Sequence, residues 1–158
     1  MAGARVCTLL LLLCRKADFS LKIVYNKSVN VRKIKMKNYG KEVILDIHNC
    51  NSKKFTRKII KAYFVEMCDL IDMQRCDLFW WDDYGLPLEE RQTKPHLKGT
   101  SAVQFIMTSN ITIHTLDIMK RVYLNIFSCK DFDADLVKKF STKYFKGKTV
   151  NYKVIKRI

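Results

Sequence analysis

GTSAVQFIMTSNITIHTLDIMKRVYLNIFSC, residues 99–129, is the stretch on which the fold turns. Apolar and β-branched residues recur in three short runs, 101–107, 111–115 and 122–128; in the last, Val122, Leu124 and Ile126 share one period-2 face. Polar residues separate the runs, so the stretch predicts three successive strands of an antiparallel sheet. It also carries Ser101, Ser109, His114 and Cys129 near the predicted strand ends and turns, where their side chains are expected to gather around one pocket. Two hydroxyls, an imidazole and a thiol are the components of a nucleophilic or proton-transfer site.

Outward toward the C-terminus, Asp133 and Asp135 lie where a helix start favours acid, and Leu136, Phe140 and Tyr144 follow at four-residue steps. Gly147 is expected to end that helix, and residues 149–155 alternate as a last strand. Toward the N-terminus, residues 42–47 predict a strand ending at His48, Asn49 and Cys50. Ser52 then caps a helix whose apolar face is Phe55, Ile59, Tyr63, Met67, Leu70 and Ile71. Residues 77–81 form a further strand, with Trp80 and Trp81 expected to serve core and interface packing. A polar loop from Asp83 through Pro87 and Pro95 to Gly99 suits a rim or lid.

The halves repeat a pattern. LDIHNCNSKKF from Leu45 and LNIFSCKDFD from Leu124 each run strand, cysteine, polar turn, helix, which puts Cys50 and Cys129 at matching points. The expected fold is therefore α/β of the α+β kind: a two-layer sandwich of an antiparallel sheet with two helices on one face, built from duplicated β-α-β halves. The other sheet face also carries apolar residues and has no helix to cover it, so sheet-to-sheet homodimerisation is expected.

Composition narrows the class. The chain has 158 residues, 48% of them hydrophobic, with few prolines and glycines, enough to bury a core and too apolar for disorder. Its net charge of +15 would by itself suggest a nucleic-acid or anionic-membrane partner. Eight of the thirty basic residues, and one of the fifteen acidic ones, lie in residues 1–35, so the remainder is only moderately basic. Lysines scattered over helix faces read as a solvated surface, and neither nucleic acid nor membrane is expected as a partner. Val6 to Cys14 is an apolar run interrupted only by Thr8. A bilayer span needs about 20 apolar residues, and no small-x-small cleavage site follows the run. Residues 1–35 are read as an upstream extension outside the fold, with the domain occupying 36–158. The six cysteines include no CxxC pair and no zinc spacing, so a cytoplasmic protein with reduced thiols and no metal is expected.

The motif residues resemble those of the prokaryotic-type S-adenosylmethionine decarboxylase proenzymes. Gly99-Thr100-Ser101-Ala102 is similar to that family's GxSG. Thr108-Ser109 matches its Glu-Ser cleavage site, Asn110-Ile111-Thr112-Ile113-His114 its His-Leu-Thr-Ile-His, and Phe127-Ser128-Cys129 its Phe-Thr-Cys. The spacing agrees too: Ser101 precedes Ser109 by eight residues, and His114 and Cys129 follow it by five and twenty. The resemblance extends from Met36 to the C-terminus.

What the resemblance implies is a self-cleaving enzyme. Ser109 attacks the carbonyl of Thr108, an acyl shift makes an ester, and elimination splits the chain between Thr108 and Ser109. Ser109 becomes a pyruvoyl group, which holds the substrate amine as a Schiff base and serves as electron sink for loss of carbon dioxide. By the same resemblance His114 accepts the proton in processing, Ser101 hydrogen-bonds the cleavage intermediate, and Cys129 donates a proton after decarboxylation. The implied product is the aminopropyl donor for spermidine.

This sequence departs from the family where substrate is read. Thr108 and Asn110 replace a glutamate and a histidine around the serine. Leu116-Asp117-Ile118 replaces Trp-Pro-Glu, and Pro95 stands where the family has an aromatic. Asp117 takes over the ribose-binding carboxylate if the backbone shifts by one residue. The expected small-molecule substrate is S-adenosylmethionine; the alternatives are decarboxylation of arginine or ornithine, and an unprocessed homologue without catalysis.

Overall fold

Strand β1 (Gly40–His48) lies one strand in from an edge of the sheet, and its alternate residues Val43, Leu45 and Ile47 are fully buried. The computed structural model describes residues 38–158; the extension expected over 1–35 lies outside them. Beyond β1, Asn51 caps a single 3-10 turn (Ser52–Lys54), and Thr56 caps helix α1 (Arg57–Leu70) by accepting from the Ile59 amide. The cap is thus Thr56 rather than Ser52. Tyr63 and Met67 face inward as expected, with Phe55 and Ile71 buried beside the helix, but the stripe is completed by Ile60, Phe64 and Cys68 rather than by Ile59 and Leu70, the last of which is exposed.

Strands β2 (Arg75–Trp81), β3 (Gly99–Ile106), β4 (Ser109–Leu116) and β5 (Arg121–Ser128) follow, then helix α2 (Ala134–Tyr144) and strand β6 (Lys148–Arg157). All six strands form one sheet, in the order β2-β3-β4-β5-β1-β6, and every neighbouring pair is antiparallel. Each helix therefore joins two strands running the same way, as duplicated β-α-β halves require. Asp133 caps α2 through the Leu136 amide, and Val137 and Ser141 face the core; Leu136, expected inside, is exposed.

Both helices pack on one sheet face. The Tyr63 hydroxyl meets the Ser141 hydroxyl at 2.8 Å, and the Tyr63 ring sits among Phe64, Phe140, Tyr144 and Phe145. Complete burial pushes the phenol pKa upward, and the Ser141 contact keeps that buried hydroxyl from being left unpaired. Gly147 plays a different part from the one expected. Lys146 takes the left-handed conformation after α2, with φ 52°, while at Gly147 a β-carbon would stand 2.6 Å from Cys50 Sγ and 2.5 Å from Ile47 Cγ2. Glycine is required there for close approach of the chain to the core.

Candidate active site

The turn between β3 and β4 consists of Met107 and Thr108 alone. Thr108 has φ 59°, in the left-handed region. For a β-branched residue that conformation costs about 1–3 kcal/mol, so strain lies in the residue preceding Ser109. Ser109 opens β4 and is only 7% exposed. Its Oγ accepts from the Cys129 amide at 3.3 Å and lies 4.0 Å from Cys129 Sγ. The β4–β5 register makes this meeting inevitable: Asn110 faces Phe127, which carries Ser109 to the end of β5 where Cys129 begins the next turn.

Cys129 is exposed, and its Sγ lies 3.1 Å from Thr108 Oγ1. The Thr108 hydroxyl, followed by that of Ser109, holds the thiol below its ordinary pKa. The Thr108 hydroxyl has a single hydrogen, and Met107 O stands 2.7 Å from it. To stabilise a thiolate it must turn that hydrogen toward sulfur and release the carbonyl. Cys50, at the matching point of the other half, has the opposite character: it is buried, and its thiol is pushed up to about 11.

Ser101 and His114 form a second group. They face each other across β3 and β4, and Ser101 Oγ and His114 Nδ1 are 2.7 Å apart. Partial burial lowers the pKa of His114, keeping the imidazole neutral and able to accept a proton near neutral pH. Tyr123, across from His114 on β5, stacks beside it with ring centroids 6.3 Å apart. Tyr123, Asn125 and Phe127 form the half-exposed set of β5, and that alternation was the available signal for Tyr123.

The single pocket expected from the sequence is thus two clusters within one chain. Thr108, Ser109 and Cys129 come together at one end of the hairpin, and Ser101 and His114 lie further along it. Five residues of extended strand separate Ser109 from His114, roughly 16 Å, and an odd separation points the two side chains to opposite faces. Asp117 lies beyond the far end of β4. There it lines a cleft of about 690 Å³ with Arg57, Asp82, Tyr84, Arg91 and Lys98, among others. Its Oδ1 is buried without a hydrogen-bond partner, and burial raises its pKa against the opposing pull of Lys98. In the same cleft Arg57 grips Asp82 with two bonds of 2.8 and 2.5 Å, which lowers the pKa of that carboxyl.

Among the described residues no helix is long and apolar enough to cross a membrane. Residues 41–158 match the model of a protein family described as S-adenosylmethionine decarboxylase. A solved adenosylmethionine decarboxylase from Aquifex aeolicus VF5 has a similar fold, with a TM-score of 0.59 and 13% identity over 76% of this chain and 91% of that one. At that identity the likeness is one of fold. No curated protein sequence matches the chain.

Proposed function

Because the chain belongs to the S-adenosylmethionine decarboxylase family, a family of carboxy-lyases, we propose that it makes a pyruvoyl group from Ser109 and decarboxylates S-adenosylmethionine, supplying the aminopropyl donor for spermidine. The observation that carries this reading is the Thr108–Ser109–Cys129 cluster: a strained residue, a buried hydroxyl and a thiol of lowered pKa at one two-residue turn.

The cluster fits the group it would have to generate. Attack of Ser109 Oγ on the Thr108 carbonyl forms an ester and breaks the Thr108–Ser109 amide bond, relieving the left-handed strain at Thr108. Elimination then removes the Cα proton of Ser109, breaks its Cβ–Oγ bond and frees Thr108 as a carboxylate; uptake of water with loss of ammonia leaves the ketone. A pyruvoyl group supplies an electron sink for the departure of carbon dioxide. Cys129 Sγ is within reach of the same residue and holds the proton that replaces the carboxyl group.

His114, neutral and bonded to Ser101, suits acceptance of the elimination proton, yet it cannot reach Ser109 of its own chain. The uncovered sheet face, with Phe79, Trp81 and Phe105 exposed on it, supports a homodimer stacked face to face. In that arrangement the Ser101–His114 pair of one copy serves the Thr108–Ser109 turn of the other. Asp117, set beyond the same end of β4 as that pair and lining the cleft beside it, is the carboxylate this reading assigns to the substrate's ribose. A cytoplasmic location accords with the free thiols of Cys50, Cys68, Cys76 and Cys129.

The test is release of carbon dioxide from carboxyl-labelled S-adenosylmethionine, with arginine and ornithine as competitors for the assignment. Turnover of S-adenosylmethionine alone supports the reading. Turnover of either basic amino acid, or of none of the three, overturns it.

A further inference from the structure

We propose that the backbone N–H of Cys129 is a catalytic group in chain cleavage: it stabilises the charge that develops on Ser109 Oγ when the Cβ–Oγ bond breaks, and Gly40 and Ser128 are the residues that position it. The assignment rests on the reading that this chain makes a pyruvoyl group from Ser109.

In the elimination step a base takes the Cα proton of Ser109, the electrons of that C–H bond form a Cα–Cβ double bond, and the Cβ–Oγ electron pair leaves on Oγ. That oxygen was the bridging atom of the ester, so it departs as one oxygen of the new Thr108 carboxylate. Negative charge therefore appears on an atom that the fold already holds. A fixed donor aimed at the place where charge develops, in a site with little water, accelerates such a step. Ser109 is only 7% exposed, and the Cys129 N–H donates to its Oγ at 3.3 Å. The thiol of the same residue stands further off, with Sγ 4.0 Å from Oγ.

The peptide that carries this N–H is held from two sides. Lys41 faces Ser128 in the β1–β5 register, which sets Gly40 against the end of β5. A β-carbon on Gly40 would stand 2.3 Å from Ser128 O and 2.8 Å from Cys129 Cα, so only glycine lets β1 run this close to the Ser128–Cys129 peptide. On the other side the Ser128 hydroxyl, buried with its residue, accepts from the Lys130 amide at 3.0 Å and donates to Met73 Sδ at 3.7 Å, which closes the turn around Cys129. The matching point of the other half shows a different use of the same group. There the Cys50 N–H donates to the Lys120 carbonyl at 2.9 Å and ties two backbone turns together. In the Cys129 half it is directed at the hydroxyl that reacts.

The experiment replaces the Cys129 N–H with an ester oxygen, by suppressing a stop codon at position 129 with the α-hydroxy analogue of cysteine. The thiol and every other side chain remain. Cleavage, followed on a denaturing gel, is expected to slow roughly tenfold to a hundredfold. Hydroxylamine should then release a fragment ending in a Thr108 hydroxamate, identified by its mass, because the ester persists while elimination is slow. Gly40→Ala displaces the peptide and Ser128→Ala loosens the turn, so each should slow cleavage with the same ester trapped. Cleavage of the hydroxy-acid chain within about threefold of the wild type overturns the assignment. Slow cleavage with no trappable ester also overturns it, since the lost step then precedes elimination. Should the hydroxy-acid chain fail to fold, wild-type cleavage rates in folded Gly40→Ala and Ser128→Ala proteins overturn it instead. These outcomes leave the pyruvoyl reading standing; that reading falls if the wild-type chain itself is never cleaved.

Discussion

Ser101 Oγ and His114 Nδ1 are 2.7 Å apart on facing residues of β3 and β4, and the pair lies on the opposite sheet face from Ser109. His114→Ala is expected to slow chain cleavage roughly a hundredfold or more, the usual contribution of a positioned general base. A time course of the two fragments on a denaturing gel measures it. Burial lowers the His114 pKa from 6.5, so the cleavage rate should be level at neutral pH and fall only below the ordinary histidine range. Stability follows the same sign: the unfolded chain takes up this proton at a higher pH than the folded one. The fold therefore loses stability as pH drops from 6.5 toward the lowered value, and His114→Gln should flatten that part of the profile.

Mixing complementary inactive chains tests the arrangement in trans. His114→Ala and Ser109→Ala chains refolded together should cleave the His114→Ala copies, since each of these retains Ser109 and gains His114 from its neighbour. If neither chain is cleaved in the mixture while each folds and associates, the face-to-face assignment is contradicted.

Cys129 and Thr108 make a separate prediction. In protein held uncleaved by His114→Ala, Cys129 should react with iodoacetamide at pH 7 before Cys50 and Cys68, whose thiols are buried and pushed up to about 11. Thr108→Val removes the first cause of the lowered thiol pKa, so the reaction of Cys129 should slow and its pH midpoint should rise. Peptide mapping of the alkylated protein reads both changes.

Asp117 gives a stability prediction. Its carboxyl is partly buried with one oxygen unpaired, and its pKa is raised by burial. A carboxyl with a raised folded pKa is tolerated while protonated and destabilises the fold as pH rises through that value. After discounting for its partial exposure, Asp117→Asn should stabilise the protein by about 1 kcal/mol at pH 7, roughly 3 °C in Tm. The gain should vanish near pH 3. Thermal melts at the two pH values check the sign.

Much of this was legible from residue order. Alternating residues in 101–107, 111–115 and 122–128 located β3, β4 and β5, and the matching stretches at Leu45 and Leu124 gave the two β-α-β halves. The helix start was misplaced because Ser52 and Thr56 are equally good caps, and only the Asn51-capped 3-10 turn decides between them. Gly147 read as a helix stop because its contact with Cys50 and Ile47 depends on how α2 meets β1. The division of the candidate site into two clusters was present in the five-residue spacing of Ser109 and His114, which sets them on opposite faces of a strand. The contact of Thr108 with Cys129 was not legible, because it depends on the register between β4 and β5.

The most direct test is intact mass spectrometry of the purified wild-type and Ser109→Ala proteins. The wild type should give two chains, one ending at Thr108 and the other running to Ile158 with a borohydride-reducible carbonyl in place of Ser109; Ser109→Ala should give one chain. A single uncleaved wild-type chain without such a carbonyl would contradict the account, as would equal cleavage of Ser109→Ala.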